Sequence, residues 1–287
     1  MKNVNELLEL LQLEQLEYNL FRGQSTSIGS KRVFGGQILA QSLSAAMQTV
    51  PEDRSVHSLH AYFILPGDVT MPVIFDVETI RDGGSFTTRR VKAIQKGRVI
   101  LNFAASFQLH QEGFEHQIDM PQVTPPEELE NWQGLVKEYG DLMPENFRKF
   151  LDWDRPIEFK PVERFNPFTD NVNEPLRHVW IKAKGLIPDS LRSQNLVLAY
   201  ASDYNLLTTS LMPHGQLANF TDLTIASLDH AMWFHRPPDL NDWMLYKTDS
   251  PSASGARGFN RGNIFNRKGQ LVASVVQEGL IRPRRKK

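Results

Sequence analysis

Two stretches of the chain share the same alternation of apolar and polar positions. Residues 58–66 read SLHAYFILP and residues 227–237 read SLDHAMWFHRP. This alternation is typical of a β-strand with one buried face. Ser58 and Ser227 are 169 positions apart, and Gln108 and Gln277, near the ends of two later strand-like runs, have the same separation. Two matching spacings indicate a duplicated unit. Residues that only one copy carries are therefore candidates for function.

Each copy is predicted to begin with a helix. In the first copy Gly35-Gly36 precedes residues 37–47, which place Ile38, Leu39 and Leu43 on one stripe at helical spacing. Residues 194–207 are the counterpart in the second copy. The N-terminal residues 1–20 are rich in leucine and are predicted to form an amphipathic helix, with Leu7, Leu8 and Leu11 turned inward.

Strands follow each predicted helix. In the first copy apolar residues alternate over 73–78, and a hairpin joins 87–95 to 98–108 through Lys96-Gly97. In the second copy 258–266 and 270–282 are joined through Lys268-Gly269. Glycine in a short turn between two long alternating runs is a hairpin signal. Strands are also predicted over 156–165 and 177–184.

One helix wrapped by a strongly bent antiparallel sheet is the hotdog fold. The sequence therefore predicts the α+β class and a double hotdog. We divide the chain into an N-terminal hotdog repeat (1–112), a linker with helical segments (113–153) and a C-terminal hotdog repeat (154–287). The linker is predicted to contain one helix that starts near Pro125-Pro126 and runs to Gly140, and a second one over 145–152.

Composition narrows the classes of function. The chain is 40% hydrophobic and 23% charged, which is typical of a soluble globular protein. Its net charge of −1 gives no reason to expect nucleic acid or an anionic membrane as a partner. It has no cysteine, which excludes disulfides, thiolate metal sites and a cysteine nucleophile.

Location is predicted from the apolar runs. None approaches the ~20 residues that span a bilayer, so membrane insertion is not expected. Residues 1–20 carry four glutamates and lack the basic start of a signal peptide. The sequence therefore predicts a cytoplasmic protein.

Common catalytic motifs are missing from the sequence. Residues 83–87 read GGSFT and lack the final glycine of a Gly-x-Ser-x-Gly elbow. Neither a His-Glu-x-x-His zinc motif nor a glycine-rich phosphate loop occurs. His230 and His235 are five residues apart on a predicted strand, so they point to opposite faces and cannot share a metal ion. We expect neither a metal nor a cofactor.

Three polar residues lie where the pattern calls for apolar ones. Asp203 falls on the apolar stripe of the second predicted helix, where the first copy has Ser44. A buried carboxylate costs several kcal/mol unless it is hydrogen-bonded or its pKa shifts. Gln277 alternates with apolar residues, and Ser227 is predicted to begin a strand. Each alone is also explained by a structural role: a satisfied core acid, a paired buried amide and a neutral serine.

Together the three residues suggest a mechanism. A carboxylate can take a proton from water as a general base, while a hydroxyl and an amide hold that water in place. Such a site needs no covalent intermediate. His57 and His60 are the other candidates for a base, but neither has a carboxylate partner in sequence, and a position at the surface or the edge of the core explains both.

Several segments resemble the acyl-CoA thioesterase II family. The resemblance covers nearly the whole chain, and the DHAMWFHRP run is its most specific part. The similar segments are SDYN (202–205), ASLDHAMWFHRP (226–237), SASGARG (252–258), VQEG (276–279), RVFGGQ (32–37) and HSLHAYF (57–63).

The resemblance implies a double hotdog that hydrolyses acyl-CoA thioesters to free fatty acid and CoA. The family's catalytic aspartate, threonine or serine, and glutamine fall on Asp203, Ser227 and Gln277. Bacterial members often have threonine where this chain has Ser227. His57 matches a histidine that has been discussed as active in the family. The implied partner is an acyl-CoA substrate, and a homo-oligomer, a dimer or tetramer, is expected.

Two other functions stay open at this point. A hotdog enoyl-CoA hydratase would need a histidine and an aspartate facing one pocket, and the sequence offers Asp203 without a nearby histidine. A non-catalytic acyl-CoA-binding protein would bind its ligand tightly without turnover. For the hydrolase, we expect backbone amides, at Gly35-Gly36 or at the helix start, to stabilise the oxyanion.

Overall fold

The computed structural model describes residues 1–142, 145–163, 172–215 and 223–284. The α-helices in this part of the chain are α1 (Val4–Leu11), α2 (Gly35–Met47), α3 (Trp132–Tyr139), α4 (Glu145–Asp152) and α5 (Leu191–Ser202). The strands are β1 (Glu14–Glu17), β2 (Leu20–Gly23), β3 (Arg54–Phe63), β4 (Val73–Asp82), β5 (Phe86–Gln95), β6 (Arg98–Leu109), β7 (Ile157–Pro161), β8 (Leu176–Ala183), β9 (Leu223–Ser227), β10 (Asp229–Phe234), β11 (Met244–Ser254), β12 (Arg257–Asn266) and β13 (Leu271–Pro283).

The strands form one antiparallel sheet in the order β1-β2-β4-β5-β6-β3-β10-β13-β12-β11-β8-β7, with β9 paired to β13. Strands β3 and β10 meet at its centre, flanked by β6 and β13, then by β5 and β12. Helices α2 and α5 pack against each other, and both contact β3. Each half thus wraps a helix in an antiparallel sheet, and the predicted α+β double hotdog is confirmed.

The register at the centre of the sheet follows the 169-residue spacing. Tyr62 pairs with Asp229, and His60 pairs with Ala231. His60 and Asp229 are 169 positions apart, as are Tyr62 and Ala231, so each pair is the other's equivalent under the repeat. The local axis of this pseudo-twofold arrangement passes through the pair formed by Ala61 and His230.

Both predicted hairpins are confirmed, and their turns explain why. Lys96 and Gly97 adopt positive φ angles of 51° and 69°, which is the two-residue turn whose twist matches that of the flanking strands. Gly269 has a φ of 79° in the turn between β12 and β13. The helix over 37–47 is likewise confirmed, and it begins two residues earlier, at Gly35.

Two predicted helices have the wrong bounds. The N-terminal helix ends at Leu11, because the residues that follow form strands β1 and β2. Strand β2 joins the sheet by pairing with β4. The second central helix runs over Leu191–Ser202 and not 194–207. The side chain of Ser190 caps its start, and Asn205, with a φ of 64°, leaves the helical conformation after its end.

The predicted linker contains α3 and α4, so its two helical segments are confirmed, although the residues after Pro125 form only a 3-10 turn over Pro126–Glu128. The division of the chain at 112/113 and 153/154 stays a prediction.

Of the strand predicted over 156–165, residues 164 and 165 lie outside the described residues. No helix in the described part of the chain has both the length and the apolarity to cross a membrane.

The two central helices are antiparallel, and Arg192 joins their ends. From the start of α5 its guanidinium donates at 3.0–3.1 Å to the carbonyl oxygens of Met47, the last residue of α2, and of Val50 and Pro51, which follow this helix. The Met47 carbonyl has no partner within α2, so the cation caps this helix and also links the two halves.

We expect Arg192→Met to lower the free energy of unfolding by about 2 kcal/mol, because three charge-assisted hydrogen bonds are lost. Arg90→Met is the matched control. Arg90 pairs with Glu78 on the surface, where both side chains are about half exposed, so its loss should cost less than ~1 kcal/mol. Urea unfolding of both variants tests this, and equal losses would contradict it.

Candidate active site

Asp203 lies where the two central helices meet. It is the C-cap residue of α5, one position beyond Ser202, and not a mid-helix residue as the sequence pattern predicted. Its Oδ2 accepts a hydrogen bond of 2.9 Å from the backbone N–H of Gly36 at the start of α2. A carboxylate at a helix N-terminus is stabilised by the unpaired amides and the helix dipole.

Glycine is required at both positions of the α2 start. A Cβ on Gly35 would lie 2.5 Å from Asp203 Oδ2, and a Cβ on Gly36 would lie 2.3 Å from the Tyr200 carbonyl oxygen. Both distances are too short for carbon. The paired glycines therefore let the backbone of α2 approach α5 closely enough for an amide to reach the carboxylate.

Aromatic side chains enclose this junction. The ring of Phe34 lies 5.2 Å from that of Tyr200 and 4.5 Å from that of Tyr204. Burial raises the pKa of Tyr204 to about 12. Burial also raises the pKa of Asp203, and this effect exceeds the opposite effects of His230, the Gln277 amide and the Gly36 N–H. The second carboxyl oxygen, Oδ1, is buried and has no hydrogen-bond partner within the described residues.

Ser227 and Gln277 reach the same place from the sheet. Gln277 lies on the inner face of β13 with 1% of its surface exposed, and its Nε2 donates to Ser227 Oγ at 2.5 Å. Its amide also interacts with the carboxyl group of Asp203. Gln277 thus interacts with both of the other residues that the sequence singled out, Asp203 and Ser227. Ser227 is the last residue of β9 and does not begin a strand as predicted, because Leu228 separates β9 from β10.

His230 is a member of this cluster that the sequence reasoning missed. Its Nδ1 lies 3.0 Å from Gln277 Oε1, its Nε2 lies 3.0 Å from Ser202 Oγ, and it lies close enough to Asp203 for each residue to affect the pKa of the other. The expectation that Asp203 has no histidine nearby is wrong, because the end of α5 and strand β10 converge in space. A signal was present: His230 is 169 positions after Ala61, so it too occurs in only one copy.

His57 and His60, the two histidines considered as bases from the sequence, lie elsewhere on the sheet. His57 packs edge-on against Phe86 at 5.6 Å, and His60 packs edge-on against Trp233 at 5.2 Å. Burial lowers the pKa of His57. Among the contacts of the described residues, none joins either histidine to Asp203, Ser227 or Gln277.

The positions that the sequence set opposite Asp203 and Gln277 make different contacts in the first half. Ser44 lies inside α2 and not at its end, and it donates its hydroxyl proton to the Leu11 carbonyl oxygen at 2.7 Å. The amide of Gln108, the counterpart of Gln277, lies 3.4 Å from Gln111 Oε1 near the strand end. The carboxylate and the converging amide are therefore features of one half.

Two family profiles match the chain. One is described as acyl-CoA thioesterase and matches residues 145–280, and the other is described as acyl-CoA thioesterase N-terminal domain and matches residues 22–108.

Curated and solved relatives agree with these matches. The chain is 43% identical to acyl-CoA thioesterase 2 of Haemophilus influenzae over 97% of its own length and 98% of that protein. It is 41% identical to acyl-coenzyme A thioesterase 8 of Homo sapiens, covering 95% of this chain and 88% of the relative. The crystal structure of an acyl-CoA thioesterase II from Mycobacterium marinum superimposes with a TM-score of 0.79 at 40% identity, covering 96% and 98% of the two chains.

The buried carboxylate predicts a pH-dependent gain of stability in Asp203→Asn. Because burial raises the pKa of Asp203, the folded state binds this proton more tightly than the unfolded chain does. Stability is therefore lost as the pH rises through the raised pKa. Asparagine is neutral throughout and still accepts from Gly36. We expect the variant to be more stable than the parent at pH 8, by on the order of 1 kcal/mol, and the difference to shrink toward pH 4.

Urea unfolding at several pH values measures this difference. A destabilisation of the variant that does not change with pH would contradict the assignment.

Proposed function

The chain belongs to the acyl-CoA thioesterase family and hydrolyses acyl-CoA thioesters, and we propose that Asp203, Ser227 and Gln277 activate the water that attacks the substrate. One observation carries the proposal. Asp203 Oδ1 is a buried carboxyl oxygen without a hydrogen-bond partner among the described residues, and the Gln277 amide, which bonds the Ser227 hydroxyl, also interacts with this carboxyl group. Such an oxygen can accept the proton of a water molecule.

The reaction follows from this geometry. Asp203 takes one proton from the water, whose oxygen attacks the carbonyl carbon of the thioester. The tetrahedral intermediate collapses with cleavage of the carbon–sulfur bond, and the proton held by Asp203 passes to the departing sulfur. The products are a free fatty acid and CoA. The raised pKa of Asp203 suits this cycle, because it makes the carboxylate a stronger base.

Stabilisation of the oxyanion is proposed at the start of α2. The N–H of Gly36 donates to Asp203 Oδ2, so it holds the base in place and does not match the oxyanion role expected for it from the sequence. We propose that the positive end of the α2 dipole stabilises the oxyanion.

His230 lies beside Asp203, so the hydratase alternative is no longer opposed by the absence of a nearby histidine. It is opposed by the contacts of His230. Both nitrogens of the His230 ring face internal partners, Gln277 on one side and Ser202 on the other. A hydratase histidine must instead present a nitrogen to the substrate. This occupation of the ring favours hydrolysis over hydration.

Location and assembly are part of the proposal. We propose a cytoplasmic protein that acts as a homo-oligomer, a dimer or tetramer. Tyr62 on the central strand β3 is 64% exposed, and a partner subunit would cover this aromatic side chain. Light scattering coupled to size exclusion should give two or four times the chain mass of 32.8 kDa. A mass of one chain would contradict the proposed assembly.

Activity assays test the catalytic roles. We expect Asp203→Ala to lower kcat at least ~100-fold, because the general base is lost. We expect Ser227→Ala and Gln277→Ala to lower kcat at least ~10-fold, because the water is held less firmly. Release of CoA from acyl-CoAs of several chain lengths can be followed with a chromogenic thiol reagent, and the chain has no cysteine to react with it.

Two controls sharpen the assay. Ser227→Thr keeps the hydroxyl and should retain most of the activity. His57→Ala should stay near the parent, because His57 packs on Phe86. Loss of activity in His57→Ala with an active Asp203→Ala would show that the roles are wrongly assigned. The absence of thiol release from every acyl-CoA would refute hydrolysis itself.

A further inference from the structure

We propose that His230 is a positioning residue that fixes which end of the Gln277 side-chain amide faces Asp203 and Ser227. The proposal rests on the proposed function above, in which that amide holds the attacking water. His230 would act through Gln277 and would not touch the substrate.

The need for such a residue follows from the amide itself. The oxygen and nitrogen ends of a glutamine side chain have the same shape, so packing alone does not select between them. The nitrogen end donates two hydrogen bonds, and it is attracted by the carboxylate of Asp203. The oxygen end only accepts, and the same carboxylate would repel it while ionised; once Asp203 holds the proton of the water, it no longer distinguishes the two ends. Rotation of the amide by 180° would therefore disrupt the site without changing the fold.

The contacts of His230 select one orientation. Gln277 Oε1 can only accept, so the ring nitrogen 3.0 Å from it, Nδ1, must carry a proton. Burial lowers the pKa of His230, which favours the neutral ring with one N–H. Asp203, Gln277 and Asp229 act in the opposite direction, with smaller effect.

With the single proton on Nδ1, Nε2 is an acceptor, and the hydroxyl of Ser202 lies 3.0 Å from it. This hydroxyl also lies 2.9 Å from the Ala199 carbonyl oxygen, so its proton is shared between two acceptors. The hydrogen bonds then run in one direction, from Ser202 to His230, from His230 to Gln277 and from Gln277 to Ser227. Ser202 directly precedes Asp203, so the chain of bonds starts on the segment that carries the base.

The repeat supports a functional role. His230 pairs across the axis with Ala61, its own equivalent, so the first half has no donor at this position. The C-cap residue of α2 in the first half is Gln48, where α5 has Asp203, so the first half has no carboxylate at this position. The histidine and the aspartate thus occur in the same half, together with the glutamine that lies between them.

Kinetics of His230 variants test the proposal. Leucine fills the site but has no hydrogen-bond donor. We expect His230→Leu to lower kcat at least ~10-fold and to change KM by no more than ~2-fold, because the water is misplaced while substrate binding is unaffected. Asparagine places an N–H near the position of Nδ1, whereas glutamine places it near Nε2. We therefore expect His230→Asn to retain several-fold more activity than His230→Gln. Since both are polar, this pair serves even if the leucine variant fails to fold.

A double-mutant cycle separates positioning from a general structural role. If His230 acts through Gln277, then His230→Leu in the Gln277→Ala background should lower kcat no further. The proposal would be overturned if the two substitutions lowered kcat by the product of their separate effects. It would also be overturned if His230→Leu had the same kcat as the parent enzyme. His235→Leu is the matched control, because His235 bonds Ser274 on the exposed part of the sheet at 3.0 Å and should leave kcat unchanged.

The outcomes separate this inference from the proposed function. A fully active Asp203→Ala refutes the base assignment, whatever His230 does. An inactive Asp203→Ala together with fully active His230→Leu overturns only the role of His230.

Discussion

The contact between the end of α5 and the start of α2 is the constraint on which the site depends. Asp203 meets the Gly36 amide only because the two central helices are antiparallel and two glycines allow their backbones to touch. At the opposite end of the same helix pair, Arg192 binds carbonyl oxygens at the end of α2 and just after it. The helix pair thus carries charge at both ends, and one of these charges is available for chemistry.

Burying the Asp203 carboxylate costs stability, and the surroundings only partly offset that cost. Aromatic rings around Phe34 and Tyr204 remove water from the carboxylate, while one amide and the Gln277 side chain stabilise the charge. The result is a base whose pKa is raised but whose position is fixed. Such a balance is characteristic of catalytic carboxylates, which need both reactivity and a defined geometry.

Much of the architecture could be predicted from the sequence, because local signals and the repeat agree. The hairpin turn at Lys96-Gly97 and the apolar stripe of α2 are encoded in adjacent residues. The bounds of α1 and α5 could not be predicted in the same way. The leucine-rich N-terminus has a helical pattern beyond Leu11, yet pairing of β2 with β4 overrides it.

The duplication and the fold follow from periodicity and spacing along the chain, so they could be predicted without coordinates. Asp203, Ser227 and Gln277 were found as polar residues in apolar patterns. The packing of the folded chain was needed to show that Asp203 caps a helix, that Gly36 binds it and that His230 contacts Gln277. The contacts of Gly36 with Asp203 and of His230 with Gln277 join residues 167 and 47 positions apart, and their geometry is set by the packing of two helices on a shared sheet, which no local pattern encodes.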